Sequence, residues 1–176
     1  RPADAVRVSG EAVSLNPLDE DAYVVRAGLQ DAQGDLEGSA RSYRDALELN
    51  DTRWQAWAGL ARVQVKQADF QSAAGSFEKA FGLAMGEESA DDRYLAGRSY
   101  QAMNQDEGAR RHFEIALAEP GWEGEADTRA ALGEMAYRAE DWAGAEKAYE
   151  AALEKRPRDP EFLGCLGMAR LWAGKF

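Results

Sequence analysis

Residues able to perform chemistry are scarce in this chain of 176 residues. It contains one histidine, His112, and one cysteine, Cys165. A zinc or catalytic site that needs two histidines or two cysteines is therefore excluded. The sequence also lacks a glycine-rich phosphate loop and a nucleophile-elbow motif. We expect a protein that is not an enzyme and that holds no metal ion and no cofactor.

Acidic residues recur along the chain at a spacing that invites comparison with a calcium site. Each stands at the second place of a predicted helix: Asp21, Asp91, Asp127 and Glu161. Consecutive members are at least 34 residues apart, too far for one ion to gather them as ligands. Acidic side chains in the first turn of a helix are favoured by the helix dipole and by free N–H groups. We therefore interpret this row as acidic residues that stabilise the first turn of each helix.

The two single residues also have ordinary structural interpretations. His112 lies between two arginines and Phe113 on a predicted helix, where a solvated surface position is expected. Cys165 lies on the last predicted helix, and we expect it to be a buried small hydrophobe.

Charge and composition exclude several classes of protein. The chain carries 32 Asp and Glu against 21 Lys and Arg, a formal net charge of −11, which opposes nucleic acid and anionic membranes as partners. A hydrophobic content of 45% is too high for a disordered acidic tail. No uncharged run is long enough to cross a bilayer. The first residues contain no apolar signal stretch, so the sequence leaves the compartment open.

An internal repeat organises most of the chain. Residues 34–47 match residues 68–81 at an offset of 34, and the pattern recurs at 104–117 and 140–153, each time 36 residues later. Residues 174–176 begin a further copy. In each full copy an aromatic residue precedes an alanine by three places: Tyr43 and Ala46, Phe77 and Ala80, Phe113 and Ala116, Tyr149 and Ala152. This spacing puts both side chains on one face of a helix.

A second amphipathic stretch precedes each copy and carries a larger apolar residue followed by a small one. The pairs are Leu60-Ala61, Ala96-Gly97, Leu132-Gly133 and Leu166-Gly167. A small residue there lets two helix backbones approach closely. Prolines stand only at the ends of the predicted helices: Pro2 precedes the first, and Pro17, Pro120, Pro157 and Pro160 separate later ones. The unit is therefore helix, short turn, helix.

A repeated helical hairpin with these residues resembles the tetratricopeptide repeat (TPR) family. The repeat from Trp54 matches that family's signature at Trp57, Leu60, Ala61, Ala73, Phe77 and Ala80. The repeat from Ala126 matches at Leu132, Gly133, Ala145, Tyr149, Ala152 and Pro157. Departures occur at Arg26 and Ser39, where Leu and Ala are usual, and at Arg93, where an aromatic residue is usual. The resemblance implies an all-α, right-handed superhelical solenoid of antiparallel helix pairs, with about ten helices.

The register divides residues 1–176 into one array that begins and ends within a repeat. Residues 3–17 are the second helix of a truncated repeat, 20–53, 54–89, 90–125 and 126–159 are full repeats, and 160–176 are the first helix of another. We expect a fragment of a longer array. The last helix presents apolar residues that we expect another chain, a swapped segment or a lattice neighbour to cover: Leu163, Cys165, Leu166, Met168, Leu171 and Trp172.

The resemblance also implies a concave groove, lined by the first helices, that binds peptides or helices. Carried over residue by residue, the groove is expected at Val24, Arg62, Val65, Lys66, Tyr94, Arg98, Tyr137, Arg138 and Trp172. Its cations could hold a carboxylate-bearing peptide while the tyrosines give flat apolar contact. The alternative is that the cations pair with Asp31, Glu134 or other neighbouring acids. Val24 and Gly28 stand where the chaperone-binding subclass carries Lys and Asn, which argues against that subclass.

Two turns between repeats carry extra residues, at 85–89 and 120–125. The second contains Trp122, whose indole either packs between adjacent repeats or serves as an exposed anchor for a partner.

The leading functional hypothesis is a non-catalytic protein-interaction scaffold with a protein or peptide partner. It would act within a larger bacterial assembly such as a secretion, pilus or exopolysaccharide export machine. One alternative is a regulatory TPR module of a larger enzyme. Another is a self-assembling scaffold that associates through its truncated ends. No hypothesis involves nucleic acid or direct membrane insertion.

Overall fold

The computed structural model describes residues 2–174, with side chains from Asp4 onward. Over that range the chain forms ten α-helices and no strand, so the all-α, ten-helix prediction is confirmed. Lys175 and Phe176, the expected start of a further helix, lie outside the described residues. The helices are α1 (Pro2–Leu15), α2 (Glu20–Ala32), α3 (Leu36–Leu49), α4 (Trp54–Lys66), α5 (Phe70–Ala84), α6 (Ala90–Ala102), α7 (Asp106–Leu117), α8 (Glu125–Arg138), α9 (Trp142–Lys155) and α10 (Pro160–Trp172).

The helices form two compact units, each described by itself. Unit 1 is Arg1–Glu88 with α1 to α5, and unit 2 is Ser89–Phe176 with α6 to α10. Within each unit every helix packs on its neighbours along the chain, and alternate helices touch as well, α2 with α4 and α6 with α8. Each unit is therefore a stack of helix hairpins.

The turn inside each hairpin has the same backbone form. The second-last residue before the second helix adopts a left-handed conformation, with φ between 57° and 80°, at Gly34, Ala68, Asn104 and Glu140. The next N–H bonds back to a carbonyl five residues earlier, as Asp35 does to Gln30 at 3.0 Å. That next residue then precedes the second helix, and at Asp35, Asp69 and Asp141 its carboxylate accepts an N–H of the first turn.

An aromatic ring seated on a glycine holds the two helices of a hairpin together in unit 2. The ring of Phe113 on α7 is fully buried, and a Cβ added to Gly97 on α6 would lie 2.5 Å from it. The same contact joins Tyr149 on α9 to Gly133 on α8, where the added Cβ would be 3.0 Å from the ring. At Gly97 and Gly133 the small residue of the sequence signature thus makes room for the aromatic ring of the second helix.

Unit 1 contains buried polar contacts between its helices that explain one departure from the family signature. Ser39, which stands where alanine is usual, donates its hydroxyl to the carbonyl of Ala27 at 2.8 Å. Ser42 donates to Oε1 of Gln30 at 2.7 Å. Each buried hydroxyl therefore has a partner, so the helices pack closely without an unsatisfied polar group.

The expectation that His112 is solvated is wrong. Its side chain is fully buried, the ring stacks on Tyr100 at 5.3 Å, and its two nitrogens lie 3.3 and 3.2 Å from guanidinium nitrogens of Arg93 and Arg111. The flanking charges suggested a surface, but His112 occupies the repeat position of Ser76, 36 residues earlier, which is also buried. The side-chain position follows the repeat register, not the local charge.

The apolar face expected on α10 is only partly as predicted. Leu166 is buried against Ala145 and Tyr149 of the preceding hairpin, so its place on an open surface was wrong. Cys165, expected to be buried, is only partly so. Exposed apolar residues remain on the helix: Leu163 at 49%, Met168 at 46%, Leu171 at 44% and Trp172 at 58%. Coverage of this face by another chain stays a prediction.

Candidate protein-binding groove

A groove of about 510 Å³ lies in unit 2 along its three first helices, α6, α8 and α10, with α9 contributing one residue. We call it the unit 2 groove. It is lined by Tyr94, Arg98, Asp127, Ala130, Ala131, Glu134, Tyr149, Glu161, Phe162 and Cys165.

The apolar part of the groove is built from residues that the hairpins hold in place. Tyr94 lies 5.9 Å from the buried ring of Phe113. Tyr149 is buried on Gly133, and burial raises the pKa of its hydroxyl, an effect that neighbouring Cys165 reinforces by charge and by a hydrogen bond. Cys165 lines the groove and is only partly buried. Chemical labelling of its thiol can therefore report whether the groove is occupied.

The charges of the groove are mostly negative. Three carboxylates, Asp127, Glu134 and Glu161, line it together with one guanidinium, that of Arg98. Arg98 forms a hydrogen bond with the hydroxyl of Tyr94, and this contact opposes the rise that burial causes in the pKa of Tyr94. The groove surface therefore carries two negative charges in excess.

The three carboxylates differ in how they are partnered. Asp127 forms an ion pair with Arg156. An oxygen of Glu134 accepts a hydrogen bond of 3.0 Å from the neutral amide of Gln101. Among the described residues, the carboxylate of Glu161 has no hydrogen-bond or ion-pair partner. Two of the three carboxylates thus face the groove without a cation.

The cations expected in the groove are divided between the units and are largely engaged. Lys66 in unit 1 donates to both carboxylate oxygens of Asp31 at 2.7 Å. Arg138 in unit 2 donates to Asn104 and to Asp106, each at 3.1 Å. Pairing with neighbouring acids, the alternative interpretation, therefore describes Lys66 and Arg138.

The remaining residues expected in unit 1 lie around its first helices. Val24 packs against the unit 1 core and is partly buried, and Val65 is partly buried as well. Arg62 is exposed, and its positive charge lowers the pKa of the Tyr43 hydroxyl against the stronger, opposite effect of burial.

Tyr137 and Trp172 belong to an aromatic cluster of unit 2, not to the residues that line the groove. Tyr137 meets Trp142 edge-on at 5.0 Å, and Trp142 stacks on Trp172 at 6.0 Å. Of the two tyrosines expected in the groove of this unit, Tyr94 lines it and Tyr137 does not.

Trp122 packs against its own unit. Its indole N–H donates to Asp91 at 2.9 Å, its ring lies 5.8 Å from that of Tyr94, and the side chain is partly buried. This is the packing alternative, and it gives Trp122 a part in positioning Tyr94 at the edge of the groove.

The row of acidic residues ties successive repeats together. The carboxylates of Asp21, Asp91 and Asp127 contact Arg53, Trp122 and Arg156, respectively, residues that stand just before the next repeat or in the turn leading to it. Glu125, in contrast, pairs within its own hairpin, with Lys155 at 2.8 Å and Arg129 at 2.7 Å, and these contacts lower its pKa. No group of three or more candidate metal ligands occurs within residues 2–174.

The sequence interpretation missed six residues of the groove: Asp127, Ala131, Tyr149, Glu161, Phe162 and Cys165. A signal for the charge of the groove was present, because Glu134 occupies the repeat position of Arg62 and Arg98 at offsets of 36. At this position of the repeat the side chain is positive on α6, at Arg98, and negative on α8, at Glu134. Positions on the first turn of α8 and α10, in contrast, looked like helix caps alone.

The part of the chain that the structure describes contains no candidate membrane-spanning helix. None of its helices combines the length and apolar character needed to span a bilayer.

Comparison with known proteins identifies the repeat. A family model described as tetratricopeptide repeat matches residues 25–88 and 94–160. The anaphase-promoting complex subunit 3 of Schizosaccharomyces pombe is 33% identical over 73 residues, which are 39% of this chain and 11% of that protein. The chain thus spans about a ninth of the length of this curated relative.

Solved structures match nearly the whole chain. YrrB, described as a TPR protein with an unusual peptide-binding site, gives a TM-score of 0.83 at 23% identity, covering 97% of this chain and 86% of its own. A MamA structure gives a TM-score of 0.81 at 20% identity, covering 89% and 83%, respectively. At these identities the likeness shows a shared fold.

Proposed function

The chain belongs to the tetratricopeptide repeat family, whose repeats indicate a protein-interaction scaffold, and from this premise we propose that it binds a peptide or helix of a partner in the unit 2 groove. It does so without catalysis. We further propose that the partner belongs to a larger bacterial assembly such as a secretion, pilus or exopolysaccharide export machine.

The observation that carries this proposal is the composition of the unit 2 groove. It combines a partly apolar surface from Tyr94, Ala130 and Phe162 with charged groups from three successive first helices. A concave surface with apolar contacts and a few fixed polar groups is suited to an extended or helical segment. Tyr94 and Tyr149 are held by contacts within the hairpins, so little side-chain ordering is required on binding.

The single cysteine allows a direct test of the binding site. We expect peptides selected on the protein from a random displayed library to bind at least about tenfold more weakly after Cys165 is capped with a bulky maleimide, because the adduct fills the groove. The matched control is the Cys165→Ser/Gly75→Cys variant capped in the same way, since Gly75 is exposed on α5 in unit 1. Equal binding by the two adducts would place the peptide elsewhere.

Self-association is a second candidate, favoured by the exposed apolar residues of α10. Leu171 and Trp172 are 44% and 58% exposed, and apolar patches of this kind serve as interaction sites in many proteins. If this face joins two copies, light scattering is expected to show a mass that rises with protein concentration. A monomer mass at every concentration excludes the candidate.

A further inference from the structure

We propose that the unit 2 groove selects a basic segment, one that presents lysine or arginine side chains, and not the carboxylate-bearing peptide that the cations of the sequence suggested. This inference rests on the proposed function, because it names the chemistry of the ligand bound at that site. The charge of the expected ligand is therefore positive and not negative.

The first argument is the balance of charge at the groove. Arg98 is the one guanidinium among the described lining residues, and it already forms a hydrogen bond with Tyr94. Glu161 has no partner among the described residues, and Glu134 accepts its hydrogen bond from the neutral amide of Gln101. A ligand ammonium or guanidinium group therefore meets two carboxylates that form no ion pair with any residue the structure describes.

The second argument is a cation that the protein already holds at this surface. The guanidinium of Arg156 pairs with Asp127 and lies over the ring of Phe162, 4.4 Å from its centroid. A carboxylate and an aromatic face are the two features that bind cations in proteins. Arg156 shows that this wall accommodates a guanidinium, and Glu161 stands next to Phe162 in the chain.

The third argument concerns the stem of the ligand side chain. Lysine and arginine carry three or four methylene groups that pack on apolar surface while the charged head meets carboxylates. Tyr94, Ala130 and Tyr149 supply such a surface in the same groove. A basic side chain therefore satisfies both the apolar and the acidic parts of the lining.

An acidic ligand fits this groove less well. Its carboxylates would meet Glu134 and Glu161, with Arg98 as the opposing charge, because Asp127 and Arg156 already pair with each other. The other cation expected in this unit, Arg138, is engaged by Asn104 and Asp106. The net charge of −11 adds a long-range attraction for basic partners and a repulsion for acidic ones.

Three matched peptides test the proposal. They are fluorescein-labelled amphipathic helices of alanine and leucine, identical except that their polar positions are all lysine, all glutamine or all glutamate. Affinity is measured by fluorescence anisotropy, and binding at the groove is measured as protection of Cys165 from alkylation. We expect the lysine peptide to bind about tenfold or more tightly than the glutamine peptide, and the glutamate peptide to bind most weakly.

Two double variants test which residues cause the preference for the lysine peptide. Glu134→Gln/Glu161→Gln keeps the size of both side chains and is expected to reduce the preference for lysine to about twofold or less, since the unpaired carboxylates are gone. Glu107→Gln/Glu114→Gln makes the same change of net charge on α7, at residues that do not line the groove, and is expected to retain the preference. Circular dichroism checks that both variants fold.

Each outcome decides the matter. Equal binding of the three peptides with Cys165 protected overturns the inference and leaves the proposed function standing. A preference for glutamate, or an unchanged preference in the Glu134→Gln/Glu161→Gln variant, also overturns it. Absence of binding and of protection with all three peptides contradicts both the inference and the proposed function.

Discussion

Replacing Phe113 with alanine is expected to lower the free energy of unfolding by about 3–5 kcal/mol, the range found when a large buried aromatic side chain is truncated. The side chain is fully buried between α6 and α7. Its ring contacts Tyr94 and occupies the space above Gly97. Truncation leaves a cavity between α6 and α7. The two helices could close this cavity only by shifting relative to each other.

Urea denaturation followed by circular dichroism measures this effect. Ile115→Ala is the matched control, because Ile115 lies on the same helix with 42% of its side chain exposed; its loss should be about 1 kcal/mol or less. Similar losses in the two variants would contradict the role given to Phe113.

The same contact can be tested from the opposite helix. Gly97→Ala is expected to destabilise the protein by about 1–3 kcal/mol, because the new Cβ would overlap the ring of Phe113. Gly75→Ala on α5 is expected to stabilise it by up to about 1 kcal/mol, since a Cβ there meets no other described atom within 4 Å. Changes in stability of opposite sign for the same Gly→Ala substitution would separate the effect of packing from that of helix propensity.

Reversing the charge of the groove is expected to reverse its choice of ligand. In the Glu134→Lys/Glu161→Lys variant the glutamate peptide should bind about tenfold or more tightly than the lysine peptide, because each substitution turns an attraction for a cation into a repulsion. Arg98 then adds to a positive surface. The readouts are fluorescence anisotropy and protection of Cys165.

A control with the same net charge separates the local effect from the field of the whole protein. Glu107→Lys/Glu114→Lys makes an identical change in charge on α7, among residues that do not line the groove. We expect this variant to keep the preference for lysine, with a smaller difference between peptides. Reversal in the control as well would show that net charge, and not the groove, selects the ligand.

The fold was predictable from sequence because each contact that builds a hairpin recurs at a fixed position. The spacing of Tyr149 and Ala152, and the glycine at 133, already implied an aromatic side chain packed against a small residue. The burial of His112 could also have been inferred from the buried position of Ser76 in the preceding repeat, had the register outweighed the flanking arginines. Local charge is a weaker guide to burial than repeat position.

The charges of the groove were harder to predict, because ion pairs depend on where side chains end. Lys66 reaches Asp31, 35 residues earlier, and Arg156 reaches Asp127, 29 residues earlier. A pattern of residue types places such groups on neighbouring helices but does not tell which of them meet. Glu161 could be recognised as an unpaired carboxylate of the unit 2 groove only after the pairings of its neighbours were known.

The shared turn inside the hairpins has a consequence for how such a chain grows. The left-handed residue and the N–H bond that follows it lie within a single hairpin, so the backbone contacts that define the turn are all local. Insertion or removal of one whole hairpin is therefore expected to leave the backbone geometry of the remaining turns unchanged, while the buried contacts between hairpins must be made anew.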